Sequence, residues 1–280
     1  MENTIYFGDN LKLLETLPEN SVDLIYIDPP FNTGKIQARK RIRTVRAQDG
    51  EGDRKGFGGN SYQTEIVGEG DYNDVFINFE SFLRPRLEQA YRILKADGSF
   101  YFHIDYREAH YCKITLDQIF GRENFINEII WAYDFGGRAK DRWPAKHDTI
   151  LFYAKDQRDY TFNLEDIDRI PYMAPGLVGQ EKAARGKLPT DTWWHTIVGT
   201  NSHEKTSYPT QKPVGILERI VRASSDPGDL VLDFFAGSGT TGQACLNLGR
   251  KFILCDSNPQ AIEVMKKRFA EQTDINWEQL

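Results

Sequence analysis

The chain has 280 residues, 40% hydrophobic and 27% charged, with 41 acidic against 35 basic side chains and a net charge of -6. That is material for one full-sized core, and an acidic balance argues against a protein that coats nucleic acid indiscriminately. With a mean hydropathy of -0.55 and no apolar run near the ~18 residues a membrane helix needs, the sequence reads as a soluble, cytoplasmic protein with no membrane partner.

Two strand-like runs open the chain, Thr4 to Phe7 ending at Gly8-Asp9, and Val22 to Ile27 ending at Asp28-Pro29-Pro30. Between them Leu11, Leu13, Leu14 and Leu17 recur at helical spacing, which predicts a strand-helix-strand unit. Residues 33–75 are rich in glycine, poor in apolar side chains, and read as a mobile loop. A helix is expected over 76–94, then a strand over 99–104, a helix over 107–120, and an antiparallel strand pair near 128–133 and 149–153. Residues 155–208 are polar, interrupted by Pro171, Pro175 and Pro189, and read as an insert with little sheet of its own. The tail is regular: helix 213–223, strand 230–234, helix 240–248, strand 251–254 and helix 258–269. Cys112, Cys245 and Cys255 lack metal-ligand spacing and read as core thiols, so no metal is expected.

After strand 230–234 the chain runs Phe235-Ala236-Gly237-Ser238-Gly239-Thr240-Thr241-Gly242. Small residues there let backbone approach a ligand at a helix N-terminus. The spelling is also that of a dinucleotide turn, and Asp256 follows where such folds keep a ribose-binding acid. Position decides against a nicotinamide dehydrogenase, because a dinucleotide turn opens its domain and only Gln243 to Leu280 follows this one. The missing strands must come from the N-terminus. The expected fold is therefore an α/β, doubly wound, mostly parallel sheet of seven strands, circularly permuted, with Asp9, Asp28, Gly237 and Asp256 gathered at one carboxyl edge.

Asp28-Pro29-Pro30-Phe31 directly follows an apolar strand. Two prolines supply carbonyl acceptors with fixed φ and no N–H, Asp28 adds an anionic acceptor, and Phe31 adds a flat apolar face. That set suits an amine attached to a flat ring, such as the exocyclic amine of a nucleobase. Such an amine is a poor nucleophile. Fixed acceptors for both its hydrogens favour a pyramidal nitrogen and disperse the positive charge that develops on attack, with no covalent intermediate.

Gly8-Asp9, Asp28-Pro29-Pro30-Phe31-Asn32-Thr33-Gly34, Tyr208-Pro209-Thr210-Gln211-Lys212-Pro213 and Asp233-Phe234-Phe235-Ala236-Gly237-Ser238-Gly239-Thr240-Thr241 occur in that order. Together they resemble the β-group of DNA amino-methyltransferases, over roughly residues 4–34, 76–153 and 205–270. The resemblance implies a methyltransferase-type sheet and S-adenosylmethionine as cofactor. Asp28, Pro29, Pro30 and Phe31 match its catalytic motif. Phe235, Ala236, Gly237, Ser238, Gly239, Thr240 and Thr241 match the cofactor turn, with Asp256 at the ribose acid, Asp9 at the adenine-ring acid, and Asp28, Thr210 and Lys212 beside the methionyl end. Phe31 stands where many relatives carry Tyr. Asp at position 28, where cytosine-N4 enzymes often have Ser, points to adenine N6.

On this reading double-stranded DNA is the partner and the target base is flipped out of the helix. Lys35, Arg39, Lys40, Arg41, Arg43 and Arg46, with no acid among them, are candidate phosphate contacts, and Arg138, Lys140 and Arg142 are a second set. The implied organisation is a catalytic and cofactor-binding domain over 1–34, 76–154 and 209–280, a basic DNA-contacting loop over 35–75, and a target-recognition region over 155–208. Trp193 and Trp194 read as packing residues, His103 and His195 as structural. A homodimer and a cognate restriction nuclease are further partners that the residues do not decide. Cytosine-N4 methylation, RNA or protein-amide methylation, and a catalytically idle DNA-binding subunit stay open.

Overall fold

The computed structural model describes residues 2–31, 35–46, 54–55, 61–74, 78–199, 201–206 and 208–280; in the strands between 35 and 74 it describes backbone pairing alone. The elements in chain order are β1 (Asn3–Phe7), α1 (Asn10–Thr16), β2 (Val22–Ile27), β3 (Lys35–Arg46), β4 (Arg54–Lys55), β5 (Ser61–Asp74), α2 (Phe79–Ile93), β6 (Leu94–Ile104), α3 (Tyr106–Phe120), β7 (Phe125–Ala132), β8 (His147–Ala154), α4 (Gln180–Arg185), β9 (Thr192–Trp194), α5 (Val214–Ala223), β10 (Leu230–Asp233), α6 (Thr240–Leu248), β11 (Lys251–Asp256), α7 (Pro259–Arg268) and β12 (Ile275–Gln279). Two units result, residues 1–31 with 78–280, and residues 32–77.

The helices start where short polar side chains can satisfy free N–H groups. Asp9 accepts from the Leu11 N–H, Asn78 from Ser81, Asp105 from Arg107 and Asn258 from Gln260. Leu13 and Leu14 of α1, and Leu83, Leu87 and Ala90 of α2, then turn one face of each helix inward. The strands read as apolar runs because both faces of a parallel sheet are covered; β10 is buried at every residue.

The larger unit is an open sheet in the order β12-β1-β11-β10-β2-β6-β8-β7-β9. Neighbours from β12 to β6 are parallel, β8 runs antiparallel to both β6 and β7, and β9 runs parallel to β7. The predicted seven strands are all present, and β9 and β12 extend the sheet to nine. Neither carries an apolar run to announce it: β9 has three residues in a polar segment, and β12 buries only Ile275. The permutation is explicit in the pairing. The first strand lies against the tail, with Phe7 opposite Asp256, while β10 sits between β11 and β2, with Leu232 opposite both Ile253 and Ile25. The ends of β1, β2, β10 and β11 therefore share one edge.

Within the expected loop over 33–75, the described residues are strands instead. β3, β5 and β4 form an antiparallel sheet, registered from Lys35 opposite Asp74 to Arg46 opposite Tyr62, with a shift between Arg41 and Ile42. The local sequence permits it, since Ile36, Ile42, Thr44 and Val45 on one strand and Tyr62, Thr64, Ile66 and Val67 on the other are β-branched or aromatic.

Residues 155–208 pack within the larger unit. The Asn163 N–H donates to the Ala223 carbonyl at 2.7 Å, and β9 joins the sheet beside β7. Arg219 on α5, itself 7% exposed, donates a two-pronged pair of bonds to Asp168 at 2.8 and 2.6 Å. That guanidinium holds the Asp168 carboxyl below the usual range.

Candidate active site

Asp28 stands one residue past β2, at the carboxyl edge. Lys212 donates to its Oδ2, and its Oδ1 is buried with no hydrogen-bond partner among the described residues. The Lys212 ammonium also lies 5.0 Å from the centroid of the Phe31 ring. A nitrogen donor thus sits on Asp28 and over a flat face, while the second carboxylate oxygen still lacks a proton to accept.

Lys212 connects the two halves of the chain. Its carbonyl accepts from the Thr240 hydroxyl at 3.2 Å, at the first residue of α6, while its ammonium reaches Asp28. The segment leading to it is clamped by Gln211, which accepts from the Thr206 N–H and hydroxyl at 2.7 and 2.8 Å and donates to the Glu204 carbonyl at 2.6 Å. Thr210 is exposed and takes φ of 60°, a left-handed conformation that costs a β-branched residue on the order of 1–2 kcal/mol.

The turn after β10 is built from within. Asp233 accepts from the Phe235 N–H at 3.0 Å and the Thr241 hydroxyl at 2.5 Å, and Ser238 and Thr240 pair at 3.0 Å. Gly237 and Gly239 take φ of 50° and 74°. A Cβ on Gly239 would lie 2.8 Å from Met265 Cγ, and one on Gly237 3.0 Å from the Tyr208 ring. Ser238, Thr240 and Thr241 are buried. Their hydroxyls shape the turn, and Phe235 is left half-buried at its rim, flanked by Phe234 and Phe82 at 5.2 and 6.1 Å.

Carboxyls converge here. Asp256 accepts from the Gly237 N–H at 2.7 Å and the Asn258 N–H at 2.8 Å, yet burial pushes its acid range up. Burial, with the charges of Asp28 and Asp256 adding to it, pushes Asp233 up to about 7. Asp9 is held by Arg86 at 2.9 Å, and Arg86 also bonds Asn10 at 2.6 Å, whose amide in turn donates to the Phe234 carbonyl at 2.6 Å. A local excess of negative charge beside a glycine turn suits a cationic ligand.

Behind Phe31 lies a buried polar chain that sequence reading took as structural only at His103. The His103 ring is 6.1 Å from Phe31, bonds the Tyr26 hydroxyl through Nδ1 at 2.7 Å, and bonds Asp148 through Nε2 at 3.3 Å. Tyr133 donates to the other Asp148 oxygen at 3.0 Å. Because a carboxylate only accepts, Nε2 carries the proton and a neutral ring then accepts from Tyr26. Burial pushes the Asp148 carboxyl up, but His103, Lys212 and Tyr133 together hold it below the ordinary value. Tyr26, Asp148, Tyr133, Asn10 and Arg86 carried no sequence signal, since single polar residues inside apolar strands or helices announce no partner.

Arg138, Lys140 and Arg142 are exposed between β7 and β8, with Arg142 beside Asp141 at 2.8 Å. Lys35, Arg39, Lys40, Arg41, Arg43 and Arg46 lie on β3. Trp193 is buried as expected, but Trp194 is 76% exposed and does not pack. All three cysteines are buried free thiols.

Comparison with known proteins agrees with this architecture. The chain is 32% identical over 268 residues to the type II methyltransferase M.HpaI of Haemophilus parainfluenzae, covering 96% of this chain and 74% of that protein. It is 31% identical over 290 residues to the DNA adenine methyltransferase YhdJ of Escherichia coli K12, covering 99% and 86%. Its fold matches the cytosine-N4-specific PvuII DNA methyltransferase with a TM-score of 0.65 at 18% identity, covering 98% and 88%. A DNA methylase family model matches residues 22–267, and the chain belongs to that family.

Proposed function

We propose that this DNA methyltransferase moves the methyl group of S-adenosylmethionine to N6 of an adenine flipped out of duplex DNA. The observation that carries the reading is Asp28: one oxygen is met by Lys212, the other is buried and unpartnered among the described residues, beside Phe31. A buried acceptor left open is costly and marks a place for a donor. Oδ1 accepts one N–H of the base amine, a carbonyl of the Pro29-Pro30 pair accepts the other, and Phe31 stacks on the ring.

S-adenosylmethionine supplies an electrophilic methyl on a positively charged sulfur. The residues here fit it: Asp28, Asp233 and Asp256 set a negative field at adjoining strand ends, and Phe235 offers a half-buried flat surface. Asp256 and Asp9 retain lone pairs for ribose and ring donors after their own hydrogen bonds, and Thr210 and Lys212 would hold the methionyl end. The proximity of the two sites is supported by Lys212, which bonds both Thr240 at the end of the glycine turn and Asp28. When the amine gives up its proton, Asp28 Oδ1 is the acceptor placed to hold it.

The identity with YhdJ and the Asp at position 28 favour adenine. The basic strand β3, continuous in the chain with the Asp-Pro-Pro-Phe motif, and Arg138, Lys140 and Arg142 are the proposed phosphate contacts. The likeness to M.HpaI supports a restriction–modification setting, with a nuclease cutting the same site unmethylated, in the cytoplasm of a bacterial cell. The test is tritium transfer from labelled cofactor to duplex DNA, with sequencing of modified bases from cells expressing the chain. N6-methyladenine, abolished by Asp28→Ala, is expected; N4-methylcytosine would reassign the base, and unlabelled DNA of every sequence would refute the proposal.

A further inference from the structure

The 133–146 connection between β7 and β8 exposes what a soluble protein ordinarily buries. Trp143 is 96% exposed and Phe135 65% exposed, on one loop that also carries Arg138, Lys140 and Arg142. Exposed large aromatics grouped with cations mark a binding surface, whereas a lone exposed apolar residue would not.

The loop is rooted at the active-site edge. β8 begins opposite the end of β6, with Thr149 paired to Ile104, and His147 faces Ala132 at the end of β7. Tyr133, the first loop residue, reaches Asp148, which reaches His103, which lies 6.1 Å from Phe31. The stem is pinned: the Tyr133 N–H donates to the Lys146 carbonyl at 2.9 Å, and the Lys146 ammonium donates to the carbonyls of Phe135 and Gly137 at 2.6 and 3.1 Å. Beyond that stem residues 138–145 form no helix or strand. Trp194, 76% exposed, ends β9 opposite Ala132, so a further flat ring is presented at the same edge.

We infer that this loop is a DNA-opening arm, in which Trp143 stacks against the bases beside the target and holds the gap that the extruded nucleotide leaves. The inference rests on the proposed function and deepens it. Charge and shape select the occupant: Arg138, Lys140 and Arg142 suit phosphates, and a rigid indole suits the flat face of a base, which every nucleotide offers regardless of sequence. An arm with a pinned base and a free aromatic end can enter a duplex without unfolding anything, and the polar chain at its root keeps it in register with Phe31.

The experiment compares wild type, Trp143→Ala and Trp143→Phe on two substrates carrying the mapped methylation site, one a perfect duplex and one with the target base opposite an abasic position. Trp143→Ala is expected to lower kcat/KM on the perfect duplex by roughly 5- to 150-fold, the equivalent of about 1 to 3 kcal/mol of stacking. On the pre-opened duplex its loss should be under about threefold, because extrusion costs less there, and Trp143→Phe should recover part of the duplex activity. Binding to the perfect duplex should quench tryptophan fluorescence in the wild type and less in Trp143→Phe. Equal losses on both substrates, or none on either, would overturn the arm. Failure of the function reading is separate: wild type would then methylate neither substrate, whatever the fluorescence does.

Discussion

Asp233 is a buried carboxyl at the end of β10, 2% exposed, with an acid range pushed up to about 7 from an ordinary 3.8. The gap spans about three pH units, and at 1.36 kcal/mol for each the native state carries a penalty of about 4 kcal/mol for holding this carboxylate above pH 7. Between 3.8 and about 7 the folded form binds more protons here than the unfolded one, so this group's contribution falls as pH rises through that window and is flat on either side. Asp233→Asn removes the titration and keeps the shape. The amide oxygen can accept from the Phe235 N–H and its NH2 can donate to the Thr241 hydroxyl, at a pH-independent cost of about 1 kcal/mol. Urea unfolding of both proteins at pH 5, 6, 7 and 8 should show the variant gaining on the wild type as pH rises, with most of the gain before pH 7. A stability difference that stays constant from pH 5 to 8 would refute the burial argument.

Lys212→Met leaves the Asp28 carboxylate, 18% exposed, without its cation; a cost of about 2 kcal/mol is expected in the urea midpoint, recovered in large part by adding Asp28→Asn, since the uncompensated charge is then gone. Gly239→Ala drives a Cβ to 2.8 Å from Met265 Cγ and 3.0 Å from Phe269 at φ of 74°, so left-handed strain and overpacking together should cost about 3 kcal/mol, read by calorimetry.

The parallel sheet was legible because buried strands announce themselves. Val22 to Ile27 and Leu230 to Asp233 are largely apolar runs that lead to Asp28 and Asp233, and the turn at Gly237 could only be completed by strands from the other end. Hairpins made of charged residues announce far less. β3 holds Lys35, Arg39, Lys40, Arg41, Arg43 and Arg46 among its twelve residues, and composition spoke for a loop, although Ile36, Ile42 and Val45 are residue types that favour strands. Trp194 illustrates the converse: tryptophan is a packing residue by default, and only its place at the exposed end of β9 shows otherwise. Lys212 was placed beside the cofactor by its motif, but nothing in the sequence puts its ammonium on Asp28, because that contact joins residues 184 positions apart.

That contact also explains why the permuted order is workable. The proposed donor site at the tail and acceptor site near the start are useful together only if the sheet fixes their separation, and the register does so by laying Leu232 beside Ile25 and Phe7 beside Asp256. Lys212 then adds a polar tie between the two strand ends, its backbone oxygen on α6 and its side chain on the β2 terminus. A methyl transfer needs reacting atoms held about 3–3.5 Å apart and aligned. Ordering by backbone pairing, with one part-buried ion pair across the join, asks for no domain closure within this unit to bring the two motifs together.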